Sequence, residues 1–250
     1  MVFLEVPAIA EVAAPFELKL ESTRMIRYIA PKAATLRADT RGIFEGSSRS
    51  VRKNGTYDAP THEEEWEAVS MMCQHLDTAI DVDRETDLFD GRSVLEIGFA
   101  TGLPSVFALD NGATDVTVHC QNKAEMDCFV KPTLERNKFP GNKCKYYHGD
   151  IQSLRESIGG KKFDVIIAVE PLRCTALELE QLHEVLDMAL APDGVCLMTS
   201  RTCTFHYDAS LPAYLDVVKK NRKFDWLEKW SSQNTDVVQW KIIQLTRSIY

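Results

Sequence analysis

The 250-residue chain lacks several features that would assign a protein to a class at once. None of its seven cysteines forms a Cys-x-x-Cys pair, so we expect free thiols and no metal site. No apolar run approaches the ~20 residues of a membrane-spanning helix, no internal repeat is visible, and the first residues lack the basic start of a signal peptide. Basic residues are too few for a general nucleic-acid binder, since 29 Lys and Arg stand against 37 Asp and Glu, a formal net charge of −8. We therefore expect an intracellular globular protein that requires neither a membrane nor nucleic acid.

Charge is distributed unevenly along the first third of the chain. Within 22–56 eight residues are basic and two are acidic, whereas within 57–90 eleven are acidic and one is basic. The basic segment has weak periodicity and a Gly-Ser-rich centre, so we assign 1–56 to a partly flexible N-terminal extension and 57–250 to the main domain. The basic segment could contact RNA, but we favour pairing with the acidic segment. The acidic segment is either a solvated face or a surface that attracts a basic protein.

Strand-like and helix-like segments alternate along the main domain. The predicted strands are 93–97, 115–119, 144–148, 163–169, 195–199, part of 225–233, and 237–245. One predicted helix starts at Thr61, and the others span 103–109, 123–136, 176–190 and 211–220. A Pro-Asp-Gly turn is predicted at 192–194. The apolar face of the 176–190 helix should include Leu177. This alternation predicts an α/β fold: a Rossmann-like, mostly parallel seven-stranded sheet with helices on both faces and an antiparallel C-terminal hairpin.

One strand-to-helix turn carries the strongest signal for a ligand. The strand ends in Glu96, and the chain turns through Gly98 and Gly102 before it enters a helix. Glycines allow a backbone to approach a ligand closely, and ligands of open parallel sheets bind beyond the carboxyl ends of the strands. The turn lacks the Gly-x-Gly-x-x-Gly pattern of dinucleotide sites, and an acid directly before it argues against a pyrophosphate. The pattern therefore favours a cationic ligand held with the help of Glu96.

This turn resembles the cofactor loop of class I, seven-stranded methyltransferases, with Ala100 at the place of the middle glycine. The resemblance implies S-adenosylmethionine, which carries a sulfonium and an amino group, as the cofactor. It also implies that Glu96, Gly98, Ala100 and Gly102 contribute to the cofactor site.

Three further segments match this class in the expected order. Asp150 ends the third strand of the main domain, where the resemblance implies a bond to the adenine amino group. The run 163–170 resembles the strand that ends at the methyl-transfer site, which implies that Glu170 contacts the cofactor and acts in catalysis. The turn at 190–195 resembles the Leu-x-Pro-x-Gly turn before the fifth strand.

The chain is similar, more narrowly, to the histidine protein methyltransferase branch of the methyltransferase-like proteins. A glycine near Gly46, the Trp66-Glu67 pair, Asn122 and the Val-Glu-Pro end at Glu170 carry this similarity. It implies a cofactor contact at Trp66 and a basic protein substrate, such as a protein of the large ribosomal subunit. It also implies a cytoplasmic and nuclear monomer in which Glu170 holds the acceptor imidazole.

The chain departs from the class at the end of its second strand, where the acid that binds the ribose is replaced by Cys120. Gln121 or Asn122 could substitute for that acid more weakly. Phe99 is bulky for a cofactor loop, and Pro171 follows Glu170 where the family tends to have tyrosine. Three alternatives therefore stay open: a methyltransferase fold that binds or regulates without turnover, a protein-lysine methyltransferase and a small-molecule methyltransferase.

Overall fold

The structure is a computed structural model that describes residues 13–31, 62–83, 85–139, 143–202, 209–232 and 239–249. Its strands are β1 (Ala13–Lys19), β2 (Met25–Pro31), β3 (Ser93–Gly98), β4 (Asp115–Cys120), β5 (Cys144–His148), β6 (Phe163–Val169), β7 (Leu190–Arg201), β8 (Phe224–Ser231) and β9 (Trp240–Arg247). Its helices are α1 (His62–Asp81), α2 (Leu103–Asp110), α3 (Lys123–Glu125), α4 (Lys131–Arg136), α5 (Ile151–Ile158), α6 (Ala176–Ala189) and α7 (Leu211–Asn221), and a π-helical turn (Met126–Val130) joins α3 to α4. No helix in these ranges is both long and apolar enough to cross a bilayer.

Seven strands form one sheet in the order β5-β4-β3-β6-β7-β9-β8. The first five are parallel, and β9 and β8 complete the sheet in antiparallel pairing. The chain winds from β3 to β5 on one side and then returns past β3 to β6, so the direction of winding reverses between β3 and β6. In open α/β sheets such a reversal point is where ligands bind.

Apolar side chains pack on both faces of the sheet because its central strands are buried on both sides. One face packs against α1, α2 and the helical segment after β4, and the other packs against α5, α6 and α7. Leu179, Leu182 and Leu186 of α6 lie in the second core. Leu177, by contrast, is 71% exposed, so the expectation that it lies on the buried face of the helix is wrong. It lies on the exposed face of α6, together with Gln181 and Glu184.

The N-terminal region contains an antiparallel hairpin, β1 and β2, that the sequence analysis did not predict. Its turn is fastened to α1, because Gln74 Oε1 accepts from Glu21 N at 3.1 Å and Asp77 accepts from the backbone and hydroxyl of Ser22 at 2.8 and 2.6 Å. Arg24, which follows the turn, pairs with Asp81 at 3.8 Å. Within the described residues the basic segment thus does contact the acidic one.

The outer edge of β2 is covered by side chains of α4 and of the residue that follows it. Thr133 Oγ1 accepts from Ile29 N at 3.0 Å, and Asn137 Oδ1 accepts from Arg27 N at 3.1 Å. Asn137 Nδ2 also donates to the carbonyl of Arg27. These bonds replace a neighbouring strand, and they fix the hairpin against the helices that follow β4.

Most predicted elements of the main domain occur within a few residues of the expected bounds. The predicted turn at 192–194 is an exception, because it lies inside β7, where the register against β6 shifts between Leu190 and Val195. Thr61, Gly46 and the proposed domain boundary at residue 56 lie outside the described residues.

Candidate active site

The candidate site lies at the carboxyl ends of β3, β4 and β6, where the winding of the sheet reverses. The loop that connects β3 to α2 starts at Gly98 and ends at Gly102, and both glycines have a φ of 82°. A Cβ at Gly98 would lie 2.1 Å from the carbonyl oxygen of Val169, and a Cβ at Gly102 would lie 3.2 Å from that of Val130. The two predicted glycines are therefore required for packing the loop against β6 on one side and the π-helical turn on the other.

Glu96 is fully buried, and its carboxylate is occupied by the loop and by α2. Oε1 accepts from Thr101 N at 2.8 Å and Gly102 N at 2.9 Å, and Oε2 accepts from the backbone and hydroxyl of Ser105 at 3.0 and 2.5 Å. Burial raises the pKa of Glu96, while the hydrogen bonds from Ser105, Gly102 and Thr101 act in the opposite direction. Glu96 thus holds the loop in shape, and its direct contact with the cofactor stays a prediction.

The loop offers few backbone donors to a ligand, because its own N–H groups are already paired. Phe99 N donates to the carbonyl of Val169 at 2.7 Å, and Ala100 N donates to that of Gly98 at 2.9 Å. The N–H groups of Thr101 and Gly102 donate to Glu96, as described above. A pyrophosphate would need such donors, so the loop is unsuited to a dinucleotide.

Cys120, at the end of β4, is bonded to the same loop. Its Sγ donates to the carbonyl of Ala100 at 3.4 Å, and the residue is 2% exposed. Burial raises the pKa of the Cys120 thiol, and the carboxylates of Glu96 and Glu125 raise it further. Cys120, which stands where the class has its ribose-binding acid, is therefore a neutral thiol that bonds the end of β4 to the loop.

The other predicted residues beyond β4 and β5 lie at the surface. Gln121 and Asn122 are exposed, and Asn122 caps α3 by accepting from Ala124 N at 2.8 Å. Asp150 is exposed and caps α5, because its Oδ1 accepts from the backbone of Ser153 at 2.9 Å and from its hydroxyl at 2.8 Å. Their proposed contacts with ribose and adenine remain predictions.

Glu170 follows β6 with a φ of 47°, a left-handed conformation that is uncommon for a residue with a side chain. Its carboxylate is buried and accepts from Arg201 N at 3.1 Å and from Arg201 Nε at 3.3 Å. The guanidinium of Arg201 lies 5.2 Å from the ring centre of Trp240. Non-glycine residues in this conformation occur preferentially at functional sites, which agrees with the role predicted for Glu170. Sequence reasoning missed Arg201, whose only signal was its place at the end of the neighbouring strand.

Trp66 connects the loop to the N-terminal hairpin. Its ring lies edge-on to Phe99 of the loop at 5.5 Å, and it stacks on Tyr28 of β2 at 5.5 Å. Trp66 is 2% exposed and Tyr28 fully buried, yet Trp66 Nε1 and the Tyr28 hydroxyl have no hydrogen-bond partner within the part of the chain that the structure describes. The sequence analysis identified Trp66 and missed Tyr28, although Ile26, Tyr28 and Ala30 alternate with exposed or half-buried residues as in a half-buried strand.

His119, in β4, is a buried histidine near the same edge. Burial, and to a smaller extent the neighbouring His148, lower the pKa of His119 to about 4. The described residues offer no hydrogen-bond partner to the Nε2 atom of His119. His119 is thus neutral at physiological pH.

The strand order and the loop at its reversal point are those of class I methyltransferases, and comparison with known proteins defines the class further. The model of a family described as lysine methyltransferase matches residues 58–220, and the chain belongs to this family. Together with the fold, membership makes the chain a class I S-adenosylmethionine-dependent methyltransferase, as the sequence predicted.

Two curated relatives differ in how much of their length is shared. An uncharacterized protein of Caenorhabditis elegans is 42% identical over 248 residues, which are 99% of each chain. A histidine protein methyltransferase 1 homolog of Dictyostelium discoideum is 27% identical over 129 residues, 52% of this chain and 41% of the relative.

Solved structures share the fold at low sequence identity. The magnesium protoporphyrin IX methyltransferase of Synechocystis, solved with bound SAH, superposes with a TM-score of 0.57 at 14% identity, over 78% of this chain and 90% of that one. The ribosomal protein L11 methylase of Lactobacillus delbrueckii gives a TM-score of 0.50 at 17% identity, over 76% and 81% of the two chains. These likenesses confirm the predicted fold class.

The chemistry of the site fits the cofactor of this class. The loop has its N–H groups paired internally, which suits a ligand whose centre is a sulfonium rather than a pyrophosphate. The buried and unpartnered Nε1 of Trp66 lies on a ring that contacts the loop, so it can serve a polar group of the cofactor. The loop and Trp66 are therefore the groups that would hold the cofactor, with Gln121 and Asp150 at the exposed rim.

Proposed function

We propose that this methyltransferase acts on a protein, and that the acceptor is a histidine nitrogen of a basic protein such as one from the large ribosomal subunit. The observation that carries the proposal is the buried, arginine-held carboxylate of Glu170 at the end of β6. The similarity to a histidine protein methyltransferase homolog supports it. A cytoplasmic and nuclear location would suit such a substrate.

Bound S-adenosylmethionine would supply an electrophilic methyl group, which the acceptor takes in a direct displacement. The protein's part is to align the acceptor and to control charge. A neutral imidazole is already nucleophilic, and it needs only an acceptor for its other N–H to fix the tautomer. Glu170 can provide that acceptor, because Arg201 holds its carboxylate in one orientation.

A lysine acceptor is the second candidate, favoured by the description of the family. A lysine ammonium must lose its proton before it can attack. Glu170 is already paired with Arg201, which makes its carboxylate better suited to orienting a neutral ring than to removing a proton. This chemistry leads us to prefer histidine.

The test is methylation of total ribosomal and cytosolic protein by the purified chain with methyl-labelled cofactor, followed by mass spectrometric assignment of the modified atom. We expect label on histidine of a basic protein, and at least tenfold less label with Glu170→Gln. Label on lysine would support the second candidate, and label confined to small molecules would contradict a protein substrate. A chain that binds the cofactor and labels nothing would support the non-catalytic alternative.

A further inference from the structure

A class I cofactor carries a carboxylate as well as two cationic groups, and this carboxylate needs hydrogen-bond donors. In many sites the backbone of a glycine-rich loop provides donors to an anionic group. Here the N–H groups of Phe99, Ala100, Thr101 and Gly102 are all paired within the protein. The donors must therefore come from elsewhere around the loop.

Two unpartnered donors lie on one aromatic stack that reaches the loop. The ring of Tyr28 stacks on Trp66, and Trp66 packs edge-on against Phe99. Both Tyr28 Oη and Trp66 Nε1 are buried, and neither has a partner among the described residues. A buried donor without a partner is destabilising, so such groups are rare unless a ligand or water satisfies them.

The position of Tyr28 is fixed by the contacts of the hairpin and not by the loop. The turn before β2 is bonded to Gln74 and Asp77 of α1, and the outer edge of β2 is bonded to Thr133 and Asn137. The hairpin therefore presents Tyr28 to α1 as a rigid unit. A phenol held in this way loses little freedom when it binds a ligand.

We infer that Tyr28, together with Trp66, donates a hydrogen bond to the carboxylate of the cofactor's amino-acid portion, and that the N-terminal hairpin is thereby part of the cofactor site. The inference rests on the cofactor class of the chain and is independent of the acceptor proposed above. It assigns a binding role to a region that precedes the 58–220 match to the family.

The experiment compares two ligands that differ in this carboxylate. Binding of S-adenosylhomocysteine, which has the carboxylate, and of methylthioadenosine, which lacks the amino-acid portion, is measured by calorimetry for the wild type and for Tyr28→Phe. We expect Tyr28→Phe to weaken S-adenosylhomocysteine about tenfold or more, since a bond to a charged group contributes about 1.5–3 kcal/mol. Methylthioadenosine should bind both proteins equally.

The chain offers a matched control in Tyr214 of α7, which is also fully buried with an unpartnered hydroxyl but lies in the core on the other face of the sheet. Tyr214→Phe should leave both affinities unchanged. Neither variant should unfold more easily than the wild type without ligand, because each removes an unpaired hydroxyl.

Three outcomes would overturn the inference. Unchanged S-adenosylhomocysteine affinity in Tyr28→Phe would show that the hydroxyl does not touch the cofactor. An equal loss of affinity for both ligands would show that Tyr28 acts only through packing. A loss of protein stability that accompanies the loss of affinity would show the same. If the wild type did not bind S-adenosylhomocysteine, both the inferred cofactor contact and the catalytic function would be wrong. If it bound S-adenosylhomocysteine but methylated no protein, only the proposed function would be contradicted.

Discussion

The thiol of Cys120 donates to the carbonyl of Ala100 at 3.4 Å, so the end of β4 is fastened to the cofactor loop by the residue that replaces the ribose-binding acid. A thiol sulfur is only a weak acceptor, so Cys120 cannot bind the ribose hydroxyls as strongly as a carboxylate would. The chain has thus exchanged a ligand contact for an internal one at this position.

This exchange predicts the effect of Cys120→Asp. The new carboxylate would accept from the ribose hydroxyls and tighten S-adenosylhomocysteine binding about tenfold, the equivalent of about 1.4 kcal/mol. The same change should lower the free energy of unfolding of the ligand-free protein by about 1–3 kcal/mol, because it buries a charge near Glu96 and removes the bond to Ala100. Calorimetry and urea unfolding measure the two effects.

Cys120→Ser is the control for this prediction, because a hydroxyl keeps the donor and adds no charge. It should change neither affinity nor stability by more than a small amount. If Cys120→Asp bound the cofactor no more tightly than Cys120→Ser, the ribose would have to be held elsewhere, with exposed Gln121 as the next candidate.

Glu96→Gln should destabilise the protein and weaken cofactor binding together. A glutamine keeps one acceptor, but its amide group would face either the two N–H groups bound at Oε1 or the donors of Ser105 at Oε2. We expect a loss of about 2–4 kcal/mol in the free energy of unfolding, measured with urea, because charged hydrogen bonds are lost and a donor meets a donor. Ser105→Ala, which removes one of the four bonds, should cost about 1 kcal/mol. A Glu96→Gln protein of normal stability that failed to bind the cofactor would restore the direct contact that the sequence first suggested.

Stability should decrease as the pH falls from 6.5 to 4 because of His119. Its pKa is lowered from 6.5 to about 4 in the folded state, so the unfolded chain binds a proton in this window that the folded chain does not. The folded state therefore loses stability from the unfolded pKa downward, and the loss levels off below the folded pKa. The full effect is about 3 kcal/mol.

The measurement is urea unfolding of the wild type and of His119→Gln at several pH values between 7 and 4. Glutamine does not titrate, so the difference between the two proteins isolates His119 from Glu96, whose raised pKa acts in the opposite direction. Parallel pH dependences of the two proteins would mean that the pKa of His119 is the same in the folded and the unfolded chain.

Sequence patterns were sufficient to predict the strands of the central sheet, but they were insufficient to predict the roles of the polar residues at its edge. The sequence of β6 is apolar and rich in β-branched residues, which predicts a buried strand. Gly98 is needed because the loop after β3 packs closely against the end of β6. The hairpin was missed because its anchoring partners, Gln74 and Asp77, lie more than 50 residues away in sequence. For Glu96 the motif gave the position correctly, but no local pattern distinguishes a carboxylate that faces a ligand from one that bonds its own loop.

The last prediction concerns the acidic segment, which the structure divides between two ends of the molecule. Trp66 in the first turns of α1 contacts the cofactor loop, whereas Asp81 at the end of this 20-residue helix lies about 22 Å further along the helix axis. Asp83, Asp87 and Asp90 then lead to the start of β3, at the edge of the sheet opposite the site. Because Trp66 contacts the cofactor loop, we expect Glu63, Glu64 and Glu65, which directly precede it in the sequence, to attract a basic substrate to the site, and the acids that follow α1 not to.

We expect Glu63, Glu64 and Glu65→Lys to slow methylation of a basic protein about tenfold at low salt, because opposite charges speed association. The wild-type rate should fall towards that of the variant as salt rises to physiological strength and screens the charges. The control is the triple variant Asp83, Asp87 and Asp90→Lys, which changes the net charge by the same amount at the far edge and should react at nearly the wild-type rate. Initial rates and S-adenosylhomocysteine affinity are measured for all three proteins. Equal slowing of both variants would show that net charge matters and location does not, and loss of cofactor binding in the first would show that the start of α1 belongs to the cofactor pocket.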